Sequence, residues 1–279
     1  MRIKAHAKIN VGLDVVGKRE DGYHELKMVM LPIELYDVID IEPALTPSFR
    51  CTPPYRIHPE KNTLLKAIEV CREAYPFKEQ FRIHLRKTIP SQAGLGGGSS
   101  DAAAIINYLN DYFKWNLSDE EKIALGVKVG ADVPFCLFNK PAIVTGIGEK
   151  LSFFEIKKPL KLILVQPRKG VSTKLAFKDL DIPNLIHPNM DEIAKALQEG
   201  NLLNLFEVMG NSLENKAISL VPEIAVIKNE LIDYGLDYAM MTGSGSVVMG
   251  FSQDEAILNR AVTDLRSQYR FVKSTKVLE

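Results

Sequence analysis

The chain has 279 residues, 46% hydrophobic and 25% charged, with 35 basic and 35 acidic side chains in balance. That length holds one large domain or two, the composition is that of a globular protein whose core needs no disulfides, and the cancelled charge leaves no electrostatic footprint for nucleic acid. Cys51, Cys71 and Cys136 are odd in number, far apart and in no C-x-x-C pair, which argues against a disulfide framework or a zinc site and for a reduced cytosol.

From the N-terminus, residues 1–8 alternate charged and apolar side chains without a continuous apolar run, unlike a signal peptide. No stretch approaches the roughly 18 apolar residues of a membrane span, so a cytoplasmic location is expected and no membrane partner. Ile3, Ala5, Ala7, Ile9 and Val11 alternate with Arg2, Lys4, His6, Lys8 and Asn10. Period two predicts a strand with one buried face, Lys8 and Asn10 projecting together from the other. Asp21-Gly22 is a turn signal. Residues 25–35 and 38–41 predict two strands, 46–59 a proline-rich irregular connection, 63–74 a helix and 81–85 a strand.

A glycine-rich run comes next, and beyond it Ala102, Ile105, Ile106, Leu109, Tyr112 and Phe113 recur at helical spacing. Ser118-Asp119-Glu120-Glu121 is a capping box for a helix that ends near Gly130. Residues 160–166 predict an apolar strand, with a domain boundary just before it that divides the chain into 1–157 and 158–279. Helices are predicted over 191–198, 222–234 (with Gly235 as its C-terminal cap) and 254–267, and strands over 238–241, 247–251 and 270–274. Strands and helices that do not strictly alternate predict an α+β fold.

The glycine-rich run follows a strand and precedes a helix, the order of a phosphate cradle. Glycines let backbone N–H groups approach phosphates, and a helix start adds unpaired donors and the positive end of its dipole. Ser99 and Ser100 place hydroxyls there, suited to phosphate or magnesium. Four glycines among residues 94–98 weigh against a merely flexible loop. A Walker A loop requires a Lys after the glycines, and a dinucleotide fingerprint requires Gly where Ser99 stands. Both common cradles fail on a required residue.

Pro90-Ser91-Gln92-Ala93-Gly94-Leu95-Gly96-Gly97-Gly98-Ser99-Ser100-Asp101-Ala102-Ala103-Ala104 resembles the phosphate loop of the GHMP small-molecule kinases, a family that includes galactokinase, homoserine kinase and mevalonate kinase. Ala7-Lys8-Ile9-Asn10, Asp21-Gly22-Tyr23-His24-Glu25, Gly130-Ala131-Asp132-Val133-Pro134-Phe135, Gly146-Ile147-Gly148-Glu149 and Met241-Thr242-Gly243-Ser244-Gly245 resemble one branch of that family in the same order. The acceptor of that branch is a cytidine diphosphate-linked polyol of non-mevalonate isoprenoid biosynthesis. The resemblance implies a two-domain α+β architecture with ATP and substrate in the cleft between the domains. It implies ATP bound by Pro90 to Ser100, and Mg²⁺ that arrives with ATP, keeps most of its waters and needs few protein ligands.

Under that resemblance Asp132 is the candidate catalytic base, positioned in a stiff segment before Pro134; taken alone, an Asp beside Pro is more often a cap or turn residue. Lys8 is its electrostatic partner and offsets charge on the transferring phosphoryl group; taken alone, a strand lysine is usually solvated. Asn10 shares that polar region as a substrate-binding residue. Tyr23 and His24 hold the cytidine end of the substrate, with Phe177 as the second aromatic and Thr173, beside Ser172, as a weaker hydroxyl. Gly243-Ser244-Gly245 reads equally as a hairpin turn or as a loop backing the phosphates. His6, His58, His84 and His187 show no metal spacing. Gln92, Asp237 and Ser246 depart from the family pattern around the phosphate region. A mevalonate- or homoserine-type kinase, or a ligand-sensing module that kept the fold and lost catalysis, are the rival readings.

Overall fold

The computed structural model describes residues 1–20, 22–53 and 62–278. Asp21 of the predicted turn and residues 54–59 of the predicted irregular connection, His58 among them, lie outside the described residues; the earlier part of that connection is not irregular, since Ser48–Thr52 forms a strand. The chain runs through β1 (Arg2–Lys18), β2 (His24–Ala44), β3 (Ser48–Thr52), α1 (Thr63–Ala74), β4 (Gln80–Arg86), α2 (Gly97–Phe113), α3 (Asp119–Val129), α4 (Val133–Phe138), β5 (Ala142–Gly146) and β6 (Lys150–Phe153). It continues through β7 (Lys161–Gln166), α5 (Thr173–Ala176), α6 (Met190–Glu199), α7 (Leu202–Val208), β8 (Gly210–Asn211), α8 (Glu214–Leu220), α9 (Glu223–Asp233), β9 (Tyr238–Met241), β10 (Val248–Phe251), α10 (Glu255–Leu265) and β11 (Phe271–Lys276). The fold is α+β. Its two compact units are each assembled from separated stretches, Met1–Lys8, Leu35–Ile89 and Gly96–Asn139 in one, Ile9–Glu34, Pro90–Leu95 and Lys140–Glu279 in the other.

In the first unit β4 pairs antiparallel with residues 38–44 of β2 and parallel with β3. Helices α1 to α4 pack on one another, and the Ala102, Ala103 and Ala104 side chains of α2 are small enough to let its neighbours approach. Asn62 caps α1 by accepting from the Leu64 and Leu65 N–H groups. The Ser118–Glu121 capping box is formed, and α3 ends at Val129 with Gly130 as its cap. The two strands predicted across residues 25–41 are one continuous strand. Asp37, which breaks their apolar pattern, is fully buried and accepts from the Thr88 and Ile89 N–H groups, so it is satisfied inside the sheet instead of turning the chain.

In the second unit an antiparallel sheet runs β11-β7-β10-β9. β7 lies between two partners with Leu162 to Val165 fully buried, which explains its unbroken apolar sequence. Helices α9 and α10 cover this sheet through Ile224, Ile227 and Leu231 and through Leu258, Ala261 and Leu265, each set at helical spacing. β5 pairs with residues 26–30 of β2, β6 pairs with β5, and β8 runs parallel to Gly12 and Leu13 of β1. A Cβ on Gly12 would stand 2.6 Å from the Ile193 side chain, so glycine there admits α6. β1 differs from its predicted half-burial: every residue from Ala7 to Val15 is buried. Its polar members inside that run are held by partners rather than by water.

One such member is Asp14. Its Oδ1 lies 2.6 Å from His187 Nδ1, while His187 Nε2 lies 2.9 Å from the Ile182 carbonyl. With acceptors at both nitrogens the imidazolium is the satisfied form. The Asp14 hydrogen bond holds His187 above the ordinary histidine value. A raised folded-state value means that the stabilisation is complete below about pH 6.5 and is lost as pH rises through the folded value. Thermal denaturation of wild type and His187→Gln across that window should show their difference shrinking with rising pH. A difference that stays constant from acid to alkaline pH would exclude the charged ring as its source.

Candidate functional site

In the first unit the site is built around the start of α2. Gly96 occupies the N-cap with φ +68°, and no side chain caps the helix. The first backbone N–H groups are therefore left to an incoming acceptor. α2 starts inside the glycines, earlier than its apolar spacing indicates. A Cβ on Gly97 would stand 2.9 Å from Ile89 Cγ2, so the tight start requires residues without side chains. A Cβ on Gly96 would stand 2.9 Å from Lys8 Cγ: the lysine stem lies along the bare backbone of the loop.

That stem is buried, and Lys8 Nζ reaches Asp132 Oδ2 at 3.4 Å. Asp132 holds the N-cap position of α4 with Pro134 in the first turn, yet its carboxylate makes no capping bond and its side chain is 34% exposed. Lys8 is thus not a solvated strand lysine, and Asp132 is not spent on closing a helix. In such a pair the reachable carboxylate can accept a proton from a bound hydroxyl, while the buried ammonium beside it offsets nearby negative charge. Ser99 is half-buried in the first turn of α2. Ser100 is buried, with its Oγ 3.1 Å from the Gly96 carbonyl and 3.5 Å from Cys136 Sγ. Thr63 Oγ1 donates to the Gly98 carbonyl at 2.7 Å, a support for the loop from the first residue of α1 that no local sequence pattern announces.

In the second unit, residues 90–95 are tied to the β9–β10 connection. Gln166 Nε2 donates to the Ser91 carbonyl at 3.0 Å, and the Ser246 and Val247 N–H groups donate to the Gln92 and Ala93 carbonyls at 3.4 Å. Gly94 has φ +75°, and a Cβ there would stand 2.3 Å from the Thr242 carbonyl oxygen, which only glycine permits. Residues 242–245 are a hairpin connection, closed by Thr242 N–H to the Val247 carbonyl, and they also lie against Gly94. The hairpin reading is the observed one, and the loop also packs against Gly94. Asn211 fixes it by donating Nδ2 to the Met241 and Gly243 carbonyls at 3.0 and 2.8 Å. Gln166 at the end of an apolar strand was a visible signal; Asn211 in a two-residue strand was not.

Asn10 is buried, its N–H donating to Thr242 Oγ1 at 2.9 Å and its Nδ2 to Met28 Sδ at 3.4 Å. The rings of His24 and Phe177 meet at 5.1 Å between centroids with a 33° tilt. Burial, with the nearby Lys18 charge, holds His24 below the ordinary histidine value and favours the neutral ring. Tyr23 is exposed at 62%. Phe177 caps the short α5, and Thr173 at the other end of that helix places Oγ1 3.0 Å from Ser244 Oγ. Gln92 takes φ +53°, and Gly170 leaves it room: a Cβ on Gly170 would stand 2.9 Å from Gln92 Oε1. Ser246 is buried with no hydrogen-bond partner for its Oγ among the described residues, and Asp237 is exposed.

Comparison with known proteins adds the following. Residues 62–140 match the family model of the GHMP kinases N terminal domain, and residues 184–270 match that of the GHMP kinases C terminal. A relative from Clostridium kluyveri named 4-diphosphocytidyl-2-C-methyl-D-erythritol kinase is 41% identical over 280 residues, covering all of both chains. A crystal structure of 4-(cytidine 5'-diphospho)-2C-methyl-D-erythritol kinase superposes with a TM-score of 0.84 at 32% identity over the full length of both chains. A crystal structure of L. major mevalonate kinase in complex with R-mevalonate shares the fold, with a TM-score of 0.73 at 16% identity over 99% of this chain and 95% of that one.

Proposed function

The chain belongs to the GHMP kinase family, and from that premise we propose that it transfers the γ-phosphoryl group of ATP to a hydroxyl of 4-diphosphocytidyl-2-C-methyl-D-erythritol, a cytoplasmic step in non-mevalonate isoprenoid precursor biosynthesis. The observation that carries the chemistry is the Lys8–Asp132 pair laid along the uncapped start of α2. The substrate follows from full-length relatives of that name at about two-fifths identity. Mevalonate- and homoserine-type kinases share the fold at far lower identity.

In this reading the backbone from Pro90 to Ser100 wraps the ATP phosphates. The bare Gly96 and the unpaired N–H groups of α2 suit an anionic ligand. Asp132 orients the acceptor hydroxyl and takes its proton as the oxygen bonds to the γ-phosphorus and the bond to the departing ADP breaks. Lys8 offsets the charge that spreads over the transferring group. Mg²⁺, when bound, would neutralise phosphate charge. Phosphate oxygens and water are assigned as its main ligands, because Mg²⁺ at such sites usually keeps several waters and needs few protein groups. Tyr23, His24 and Phe177 are assigned to the cytidine, with Asn10 and Thr173 contributing polar contacts. The division into domains at 157/158 is part of the same proposal, and the two family matches lie on either side of it.

The test compares turnover of the cytidine substrate, its uridine analogue and mevalonate. Stacking tolerates any base, whereas a wrong base leaves a hydrogen-bonding group unpaired at a cost of about 1–3 kcal/mol. The cytidine compound should be strongly preferred. Phe177→Ala should weaken its binding by roughly ten- to a hundredfold while ATP affinity holds. Equal turnover of the cytidine and uridine compounds would remove the base-reading assignment. Turnover of mevalonate alone would move the chain to another branch of the family.

A further inference from the structure

Lys87 and Asp101 bracket the glycine-rich segment in the chain, one just after β4 and the other inside α2. Lys87 Nζ donates to Asp101 Oδ2 at 2.8 Å and also to Asp37 Oδ2. The other oxygen of Asp37 accepts from the Ile89 N–H at 2.9 Å and from the Thr88 N–H. Exposure of the three side chains is 9% for Lys87, 0% for Asp37 and 4% for Asp101. Asp101 Oδ1 is buried without a hydrogen-bond partner among the described residues. A Cβ on Gly97 would stand 3.2 Å from Lys87 Nζ, so the ammonium sits close to the first residue of the helix.

Two buried carboxylates sharing one ammonium are a poor device for stability alone. Apolar side chains of similar volume commonly serve a core as well or better. What the triad supplies is geometry. It joins β2 through Asp37, the chain entering the loop through residues 87–89, and the helix leaving it through Asp101. We infer that Lys87 is a positioning residue for phosphoryl transfer, holding both ends of the glycine-rich segment in one place and so setting the direction of the first N–H groups of α2. The inference rests on the reading that this segment binds the ATP phosphates.

The charged groups that face the ammonium are Asp37 from β2 and Asp101 from α2; the Cys136 thiol of α4, near Asp101, is pushed up to about 12 by burial and stays neutral. Without Lys87, the two carboxylates become like charges sharing a buried site with no cation to hold them together. ATP affinity should be measured by calorimetry for wild type, Lys87→Met and Lys87→Arg. Lys87→Met should bind ATP roughly ten- to a hundredfold more weakly, as expected when about one charge-assisted hydrogen bond to the phosphates is misaligned. Lys87→Arg, which can bridge both carboxylates, should recover most of the affinity. A folded Lys87→Met with wild-type affinity overturns the inference, and so does a Lys87→Arg that binds ATP as weakly as Lys87→Met. If Lys87→Met fails to fold, Asp101→Ala keeps the Lys87–Asp37 pair intact and should still weaken ATP binding; unchanged affinity there overturns the inference as well. Wild-type protein that does not bind ATP refutes the underlying reading instead.

Discussion

Replacing Asp132 by alanine is expected to lower kcat by roughly 10²–10⁴-fold, the usual contribution of a positioned general base. The structure makes this substitution a clean one. Asp132 stands at the N-cap of α4 but makes no capping bond, so alanine does not forfeit the cap stabilisation of about 1 kcal/mol that such a position often carries. Its side chain is partly exposed, so no cavity opens. ATP affinity should hardly change, because the backbone proposed to bind the phosphates is untouched. Asp132→Asn is the companion variant. It keeps the shape and a hydrogen-bonding oxygen but cannot take the proton, and its rate should fall nearly as far. Steady-state kinetics with saturating ATP and a circular dichroism spectrum check both points. A folded Asp132→Ala enzyme that turns over at the wild-type rate would place the base elsewhere.

Gly96→Val is expected to abolish measurable ATP binding while the fold survives. Three effects act together. Gly96 has φ +68°, a region that β-branched side chains avoid. A Cβ there meets the Lys8 stem at 2.9 Å, so valine displaces the proposed electrostatic partner as well. The branched side chain also covers backbone donors that the phosphates need. Losing about two charge-assisted hydrogen bonds at about 1.5–3 kcal/mol each weakens binding by at least about 10²-fold. Calorimetric titration with ATP measures this, and thermal denaturation confirms that a folded protein is being measured. Undiminished ATP affinity in the folded variant would refute the phosphate-binding role of the loop. Because Lys8 is displaced, residual kcat at very high ATP should also fall, which separates this variant from one that loses affinity alone.

Much of the secondary structure was legible because local rules sufficed. Helix α1 coincides with its predicted limits, and the Ser118 capping box and Gly130 mark the ends of α3. Where local rules conflicted with burial, the prediction failed. Asp37 in the middle of β2 looked like an interruption, and Lys8 and Asn10 looked like a polar face of β1. Each is a polar residue inside the protein, and nothing in its immediate neighbours announces the partner that satisfies it. The short helices α4, α7 and α8 and the two-residue β8 carry too few residues for a periodic signal.

The order of strand, glycines and helix, the failure of the two common phosphate loops and the resemblance spread along the chain were properties of the sequence alone. They pointed to the chemistry and to the residues proposed to carry it, because a backbone that must approach phosphate closely favours glycine. Only the tertiary structure decided which polar residues meet. It put Lys8 against both Gly96 and Asp132, His24 against Phe177, and Lys87 between Asp37 and Asp101. Those encounters join residues far apart in the chain. A buried charge is tolerable only where folding brings its partner to it, so the pairing is a property of the packed molecule and leaves no mark in the local pattern.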